Sequence, residues 1–391
     1  MNYLIFAATV IVGTNIDIFL ARQGVPGAGV HIGVGLAFAA AFFAAIAMKV
    51  SLNLERFRGF MALFLLLLVW SLISGFFSLD TELSLLTLAR YIVLGVGMLA
   101  LASLIDVRAD FNKAIAAGLI ASLVIVASTI IIDAIRPGTF SQQLTRAAGL
   151  YINPNNGAQA LVLNLVALVA VWRKPVIDRA LVFAYVLVMM GVFLTLSRSG
   201  VVLFVLTSAF LAYIYFSRRM ALYAAVLSVA LVAVIVMYMD PTNLAQFQNV
   251  TTMNRLDRLF TLDAYLDGDD ERVQLLRANL GDQVGVFGWG PGASALQDDF
   301  GGATHNTFVK LYWESGLVSA FLYCCILIYV ALSSRNRFGL MTVGVLLALS
   351  VFTNYNLDNR MFYFVLLISL ATLRGPAMQV GALPRIRWRY G

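Results

Sequence analysis

Charged side chains are scarce in this chain. Of its 391 residues only 12% are Asp, Glu, Lys or Arg, whereas 61% are hydrophobic and the mean hydropathy is +0.87. A water-soluble surface needs roughly twice that share of charge. The composition therefore excludes a soluble domain and predicts an all-α polytopic membrane protein, because helices satisfy their own backbone hydrogen bonds in lipid.

Cysteine and histidine are also rare, with two residues of each. Cys324 and Cys325 are adjacent in an apolar stretch, where we expect neither an ordinary disulfide nor a zinc site. The first apolar segment lacks a basic leader and a clear cleavage site, so we expect it to be retained as a helix. Internal repeats and low-complexity segments are absent too, which predicts a single integral membrane domain over residues 1–391.

What the sequence does contain is apolar stretches long enough to cross about 30 Å of hydrocarbon. We count about twelve of them, with ends uncertain by about 2 to 4 residues. They cover residues 3–20, 30–49, 59–78, 84–105, 112–134, 157–172, 179–196, 200–216, 221–239, 308–333, 339–355 and 361–373.

The net charge of +7 does not predict a nucleic-acid partner, because the basic residues are scattered among short loops. With the N-terminus inside, 16 of the 27 Lys and Arg residues fall in inward segments and 11 in outward ones. This is the direction of the positive-inside rule. We therefore expect both termini in the cytoplasm, with residues 375–391 forming a basic cytoplasmic tail.

Two outward segments are too long to be tight turns, and function is often found on such loops. Residues 136–156 form the smaller predicted periplasmic loop, and residues 240–305 form a large one between the ninth and tenth helices. The acidic residues 267–271 precede a short amphipathic helix over 272–280, which they are suited to cap. A calcium or magnesium site is the alternative, although no EF-hand spacing follows.

The large loop ends in the run Gly288-Trp289-Gly290-Pro291-Gly292, followed by His305-Asn306 and then Gly316. A histidine is costly to keep where a polar loop meets a membrane helix, unless it has a use. Outward arginines would disfavour its charged form, leaving a neutral imidazole able to accept a proton near pH 7. His305 is thus a candidate general base; a structural histidine is the alternative.

Outward arginines are the second candidate group. Arg198 lies in a short break between two apolar segments, where the positive-inside bias disfavours an arginine. It is either a snorkelling interfacial side chain or a fork that binds a phosphate through paired donors. Arg90, about six residues into its predicted helix, favours the second interpretation because a charge at that depth needs a partner or a water-filled cavity.

Arg146 ends the smaller outward loop, just before Asn153-Pro154-Asn155 opens a helix. Asn155 or Asn156 is a candidate N-cap, and the helix start with its upstream arginine is alternatively an anion site. Lys310 and Glu314 have the i, i+4 spacing of a helix-surface ion pair.

Taken in order, these residues resemble the O-antigen ligase and polymerase superfamily of bacterial inner-membrane glycosyltransferases. The resemblance covers residues 146–319. The matching positions are Arg146, Asn153-Pro154-Asn155, Ser197-Arg198-Ser199-Gly200, Arg272, Gly288-Trp289-Gly290-Pro291-Gly292, His305-Asn306 and Gly316. One departure is Ser319, where the ligase pattern often has a second glycine.

The resemblance implies a fold similar to the membrane-embedded (GT-C-like) glycosyltransferases and an inverting transfer on the periplasmic face, without metal or cofactor. The donor is an undecaprenyl-diphosphate-linked glycan. His305 would be the catalytic base, with a supporting group of residues whose roles are more loosely implied. The diphosphate ligands would be Arg198, Arg272 and Arg146, and the supporting residues Asn306, Asn153, Asn155, Glu314 and Gly316.

Three functions remain open. A single large outward loop and little tail favour an O-antigen ligase of the bacterial inner membrane, in contact with membrane lipids and with the lipid A core as acceptor. The alternative is an O-antigen or exopolysaccharide polymerase that joins lipid-linked repeats. A polytopic transporter is less favoured, because the predicted membrane centres are almost bare of charge and the large loop follows the ninth span instead of the sixth.

Overall fold

The structure is a computed structural model, which describes residues 1–52, 54–141, 146–151, 153–172, 177–215, 285–294, 306–333, 337–353 and 356–371. Within these ranges the chain is helical and contains no strand. The α-helices are α1 (Asn2–Thr14), α2 (Ile16–Arg22), α3 (Val30–Ile46), α4 (Arg58–Gly75), α5 (Thr81–Ala102), α6 (Ala109–Ile135), α7 (Pro154–Trp172), α8 (Arg179–Leu194), α9 (Arg198–Tyr215), α10 (Thr307–Ser333), α11 (Arg337–Phe352) and α12 (Arg360–Ala371). Short 3-10 helices cover Leu54–Phe57, Gly149–Tyr151 and Asn356–Asp358.

The helices agree with the predicted apolar stretches. Six described helices are long and apolar enough to cross a membrane, or seven if the bent pair α1 and α2 is one span. Four shorter apolar helices, α3, α8, α11 and α12, fall on further predicted spans. The chain is thus consistent with a polytopic membrane protein, and the total of about twelve crossings stays a prediction. The predicted span 221–239 lies outside the described residues.

Helices α7 and α12 form the centre of the bundle. Nearly every residue of α7 from Gly157 onward is buried, and so is every residue of α12. Both are mostly apolar and carry few polar side chains, which is the pattern of a helix surrounded by other helices. α7 packs against α6, α8, α9 and α12. The other helices form an outer layer whose exposed apolar side chains suit a lipid environment.

Loops that the sequence predicts on the same side of the membrane contact one another in the structure. At one end, Arg56 donates to the carbonyl of Ala371 at 2.6 Å and lies 3.8 Å from the carboxylate of Asp106. At the other end, the Leu79 N–H donates to the carbonyl of Trp289 at 3.3 Å. The segments predicted inward therefore meet one another, as do those predicted outward. The assignment of the second end to the periplasm stays a prediction.

The first predicted span, 3–20, is wrong as a continuous helix, because the chain bends by 59° between α1 and α2. Asn15 occupies the left-handed region there, with φ of 54°. The Ile11 carbonyl still accepts from the Asn15 N–H at 3.1 Å, whereas the carbonyls that follow lose the regular helical donors in surroundings that cannot replace them. Arg360 supplies donors: its guanidinium reaches the carbonyls of Ile11 at 2.6 Å and Val12 at 3.1 Å.

The same guanidinium pairs with Asp17 through two parallel bonds of 2.8 and 2.6 Å. Both side chains are almost completely buried, at 1% and 2% exposure. A third carbonyl at the break, that of Gly13, accepts from the Tyr151 hydroxyl at 2.8 Å. Burial raises the pKa of that hydroxyl, so it stays protonated as a donor. The break is thereby closed with one charge pair and neutral donors.

Candidate functional site

The turn between α8 and α9 presents Arg198. Leu196 has a φ of 51°, so the backbone cannot continue as an α-helix beyond α8. The Ser197 hydroxyl accepts from the Gly200 N–H at 3.1 Å. Ser197 is therefore the N-cap of α9 and Arg198 its first residue. The Arg198 side chain is half-buried and makes interactions within the protein. A positive side chain thus stands at the positive end of a helix, which is a suitable place for an anion.

Arg146 lies against the same turn. Its Nε donates to the carbonyl of Thr195 at 3.1 Å, and its Nη2 to that of Leu196 at 3.2 Å. Nη2 also donates to Asn155 Oδ1 at 3.0 Å, and that oxygen accepts from the Ser197 hydroxyl at 2.9 Å. Arg146 and Asn155 thus fix the turn that carries Arg198. Sequence reasoning placed Arg146, Asn155 and Arg198 in one site, and the structure brings them together.

The start of α7 corrects the predicted N-cap. The side-chain oxygen of Asn153, not that of Asn155 or Asn156, accepts from a first-turn amide, the Asn155 N–H at 2.9 Å. Pro154 is the first helical residue, where its missing N–H costs nothing. Asn155 is consequently free to point its oxygen at Arg146 and Ser197.

The connection that carries Arg146 is tied to α6 by one buried carboxylate. Asp133 Oδ1 accepts from the N–H groups of Phe140 and Ser141 at 3.1 and 3.3 Å. Its Oδ2 accepts from those of Ala148 and Gly149 at 2.9 and 3.3 Å. A carboxylate buried to 1% exposure is stabilised by four such donors. The backbone is therefore held to α6 both before and after Arg146.

The second group of predicted residues lies on α10. Asn306 is the N-cap of this helix, since its Oδ1 accepts from the N–H groups of Phe308 and Val309 at 2.9 and 3.2 Å. His305 precedes it in sequence but lies outside the described residues, and so do Arg272 and the acidic residues 267–271. Their proposed roles stay predictions. In the described part of the chain, no three His, Cys, Asp or Glu side chains are grouped to hold a metal ion.

Helix α10 is broken where Gly316 falls. Ser315 and Gly316 have non-helical backbone angles, and Gly316 has a φ of 75°. The carbonyls of Trp313 and Glu314 accept instead from the N–H groups of Trp289 and Gly290, at 3.0 and 2.7 Å. The glycine run thus satisfies carbonyls that the break leaves without helical partners.

Helix α4 completes this junction. The Trp70 indole N–H donates to the carbonyl of Ser315 at 2.7 Å, and the Ser74 hydroxyl donates to that of Phe287 at 2.5 Å. The Phe287 ring stacks between those of Trp70 and Phe77, with centroids 5.4 and 4.5 Å away. The glycine run Gly288–Gly292 therefore has a structural role, because it docks a loop on a broken helix.

Glycine is required at these positions by geometry. A Cβ on Gly316 would collide with the carbonyl oxygen of Val286, and one on Gly288 would lie 2.5 Å from the backbone of Glu314. Both residues also have positive φ, which other residues adopt at a cost. Close backbone approach explains why this sequence places glycines on both sides of the junction.

Lys310 and Glu314 form the predicted i, i+4 ion pair, but the prediction that it lies on the helix surface is wrong. Their side chains are 8% and 1% exposed, and their nearest charged atoms are 3.9 Å apart. Lys310 bonds more closely to Asp358, at 2.9 Å, while the Ser294 hydroxyl donates to Glu314 at 2.5 Å. Asp358 also lies 3.4 Å from Arg90. Glu314, Lys310 and Asp358 thus form a largely buried chain of alternating charge, and Arg90 lies at its exposed end.

Sequence reasoning missed Asp17, Asp358 and Arg360. Asp17 lies within the predicted span 3–20, and Arg360 lies at the edge of the predicted span 361–373. Neither was given a role. An ionisable residue inside an apolar stretch signals a buried partner, but only the fold identifies it, because Asp17 and Arg360 are far apart in sequence.

Comparison with known proteins adds one finding to this geometry. Residues 182–324 match the family described as O-antigen ligase. The match begins in α8, includes Arg198 and the glycine run, and ends within α10. No curated protein matches the chain significantly. The resemblance predicted from the motifs is therefore confirmed: from α8 to the middle of α10 the chain is similar to the O-antigen ligase family, whose members are membrane glycosyltransferase-like ligases and polymerases.

Proposed function

We propose that this protein is an O-antigen ligase, which transfers a polysaccharide from undecaprenyl diphosphate to the lipid A core oligosaccharide on the periplasmic face of the inner membrane. The family match over residues 182–324 carries the proposal, because it contains Arg198, Arg272 and His305. The supporting geometry is the helix start at Arg198, fixed by Arg146 and Asn155.

The arginines have the chemistry that the leaving group needs. A departing diphosphate carries at least two negative charges, and preorganised cations stabilise the charge that develops on it. Arg198 stands at the positive end of α9, and Arg272 is the second proposed ligand. Arg146 is the third, and its bonds to the α8–α9 turn also make it a positioning residue for Arg198.

His305 is the proposed general base. It takes the proton of the acceptor hydroxyl as that oxygen attacks the anomeric carbon. The bond from the anomeric carbon to the diphosphate oxygen breaks, and the diphosphate leaves with the electron pair. A single displacement of this kind inverts the anomeric configuration without requiring a metal ion.

The nearest described residues before and after His305 in sequence, Ser294 and Asn306, support this role. Ser294, on one side in sequence, bonds to the Glu314 side chain, and Asn306, on the other side, caps α10. Both flanks are therefore anchored on the first turns of the same helix. Glu314 and Asn306 contribute to catalysis, in this proposal, by limiting where His305 can lie.

An in vitro transfer assay tests the proposal. Purified protein in nanodiscs receives an undecaprenyl-diphosphate-linked glycan and either lipid A core or a second lipid-linked repeat. The variants are His305→Ala and, as control, His31→Ala. His31 is the only other histidine of the chain and is exposed on α3.

We expect product on lipid A core, its loss in His305→Ala with donor binding retained, and normal turnover in His31→Ala. Elongation of the lipid-linked repeat instead would identify a polymerase. Undiminished transfer by His305→Ala would remove the histidine from the mechanism. Absence of transfer to both acceptors would contradict the proposed function as a whole.

A further inference from the structure

Arg90 occupies an unusual place for a charged residue. It is the tenth residue of α5 (Thr81–Ala102), a helix apolar enough to span a membrane. At 1.5 Å per residue it lies about 13 Å along the helix from Thr81. Its side chain is nevertheless 58% exposed. A guanidinium at this depth is costly unless it meets water or an anion.

Beyond its first turn, where Thr81 and Glu82 are exposed, the rest of the exposed side of α5 around Arg90 is apolar. Leu86 and Val93, about one turn above and below Arg90, are 60% and 39% exposed. Such side chains suit lipid tails, so Arg90 stands at the border between a lipid-facing surface and the packed interior. An anionic group that reaches Arg90 from the bilayer need not pass through the protein.

Asp358 holds the guanidinium at this border. Its Oδ1 accepts from Arg90 Nη1 at 3.4 Å, and its Oδ2 accepts from Lys310 at 2.9 Å. In the part of the chain that the structure describes, Asp358 is the hydrogen-bond partner of Arg90, and a guanidinium carries five N–H donors. The carboxylates of Asp358 and Glu314 lie on the buried side, at 14% and 1% exposure. The positive charge of Arg90 is therefore the part of this group that meets the lipid, and Glu82 is exposed two turns earlier on the same helix.

The glycine run lies next to this position. A Cβ on Gly292 would meet Thr87 and Leu83 of α5, so the run packs on the turns just before Arg90. Ser294, at the end of the same segment, bonds to Glu314. Arg90 is thus connected through Asp358, Lys310 and Glu314 to the segment that precedes His305 in sequence.

We propose that Arg90 binds the diphosphate of the lipid-linked donor as it enters laterally from the bilayer beside α5 and residues 356–358. This inference rests on the proposed function. A planar guanidinium binds phosphate oxygens in pairs through its fork of N–H donors. Phospholipid headgroups offer the same chemistry with less charge, so the test must separate the two sources.

The experiment measures transfer against donor concentration in zwitterionic nanodiscs and in nanodiscs with anionic phospholipid. The variants are Arg90→Gln, Arg90→Lys and the control Arg136→Gln, which removes an exposed arginine beyond the end of α6. For Arg90→Gln we expect the KM for donor to rise about tenfold, with kcat within about twofold, in both lipids. Arg90→Lys should give a smaller rise and Arg136→Gln none.

Two results would overturn the inference. An unchanged KM in folded Arg90→Gln excludes donor binding by Arg90, and a rise confined to anionic nanodiscs assigns the side chain to phospholipid headgroups. If Arg90→Gln fails to fold, the KM of Arg90→Lys decides between the same outcomes. If the wild-type protein transfers normally and the KM of Arg90→Gln is unchanged, only the role of Arg90 is contradicted and the proposed function is not. Absence of transfer by the wild-type protein contradicts the proposed function itself.

Discussion

The part of the chain that the structure describes contains two broken helices, and each break is closed in a different way. Between α1 and α2 the carbonyls of Ile11 and Val12 accept from a buried arginine, whose charge is balanced by Asp17. In α10 the free carbonyls accept from backbone N–H groups of a docked loop and from uncharged side chains of α4.

Because the two breaks are closed by different groups, we expect mutations at them to have different effects. The charge pair joins α1, α2 and α12, which are parts of the packed bundle, so it should act on stability. The loop junction ends at Ser294, and the next described residue is Asn306. The segment between them contains His305, so the α10 break should act on the position of the proposed base as well as on stability.

The largest effect is expected from Arg360→Met. The substitution leaves Asp17 charged and buried, and removes the donors to Ile11 and Val12. We expect a loss of about 3 to 5 kcal/mol in the free energy of unfolding in mixed micelles. The double variant Asp17→Leu/Arg360→Met should lose less than Arg360→Met alone, because no buried charge remains. Additive losses in the double variant would contradict the described pairing.

Gly316→Ala tests the second break. The new Cβ meets the carbonyl of Val286, and a non-glycine residue at positive φ adds about 1 to 2 kcal/mol. We expect a loss of at least about 2 kcal/mol in unfolding free energy and a fall in kcat. The matched control is Gly35→Ala in α3, where an added Cβ meets nothing within 4 Å. Equal stability of the two alanine variants would count against the close contact of loop and helix.

A smaller effect is expected from Ser74→Ala, which removes the hydroxyl that reaches Phe287 and Glu314. Hydrogen bonds between membrane helices contribute about 0.6 to 1 kcal/mol, and we expect a loss of that size. Thr342→Val is the control, since within the described ranges its hydroxyl bonds only to the Phe338 carbonyl one turn earlier in its own helix. A larger loss in the control would indicate that the α4 contact does not hold the loop.

The smallest change in stability is expected from Arg90→Gln. Exposed ion pairs contribute up to about 1 kcal/mol, and the Arg90 contact to Asp358 is long and open to its surroundings. The unfolding free energy should stay within about 0.5 kcal/mol of wild type. A loss as large as that of Arg360→Met would make Arg90 a structural residue and not a ligand for the donor.

Hydropathy predicted the helices well because the length of an apolar stretch is a local property of the sequence. The breaks at Asn15 and Gly316 could not be located in this way. Their conformations depend on partners distant in sequence, namely Arg360 for the first and the glycine run for the second. A single glycine or asparagine in an apolar stretch is compatible with a continuous helix.

The site, like the fold, was predicted only in part, because some of its contacts join segments that are distant in sequence. The order of motifs brought Arg146, Asn155 and Arg198 into one site, and these residues meet at one turn. The spacing of Lys310 and Glu314 indicated a pair on one helix, but Asp358 and Ser294 come from other segments. Helical periodicity reports which residues share a face, not which element covers that face.

The most direct test of the central claim is the rate at which purified protein releases undecaprenyl diphosphate from a lipid-linked glycan when an acceptor is present. The informative comparison is between Arg198→Lys and Arg179→Lys, which change the first residues of α9 and α8. Arg198→Lys should lower the rate about 100-fold, because a point charge does not replace a guanidinium fork on the leaving group. Arg179→Lys should leave the rate unchanged, and equal, normal rates in both variants would contradict the account.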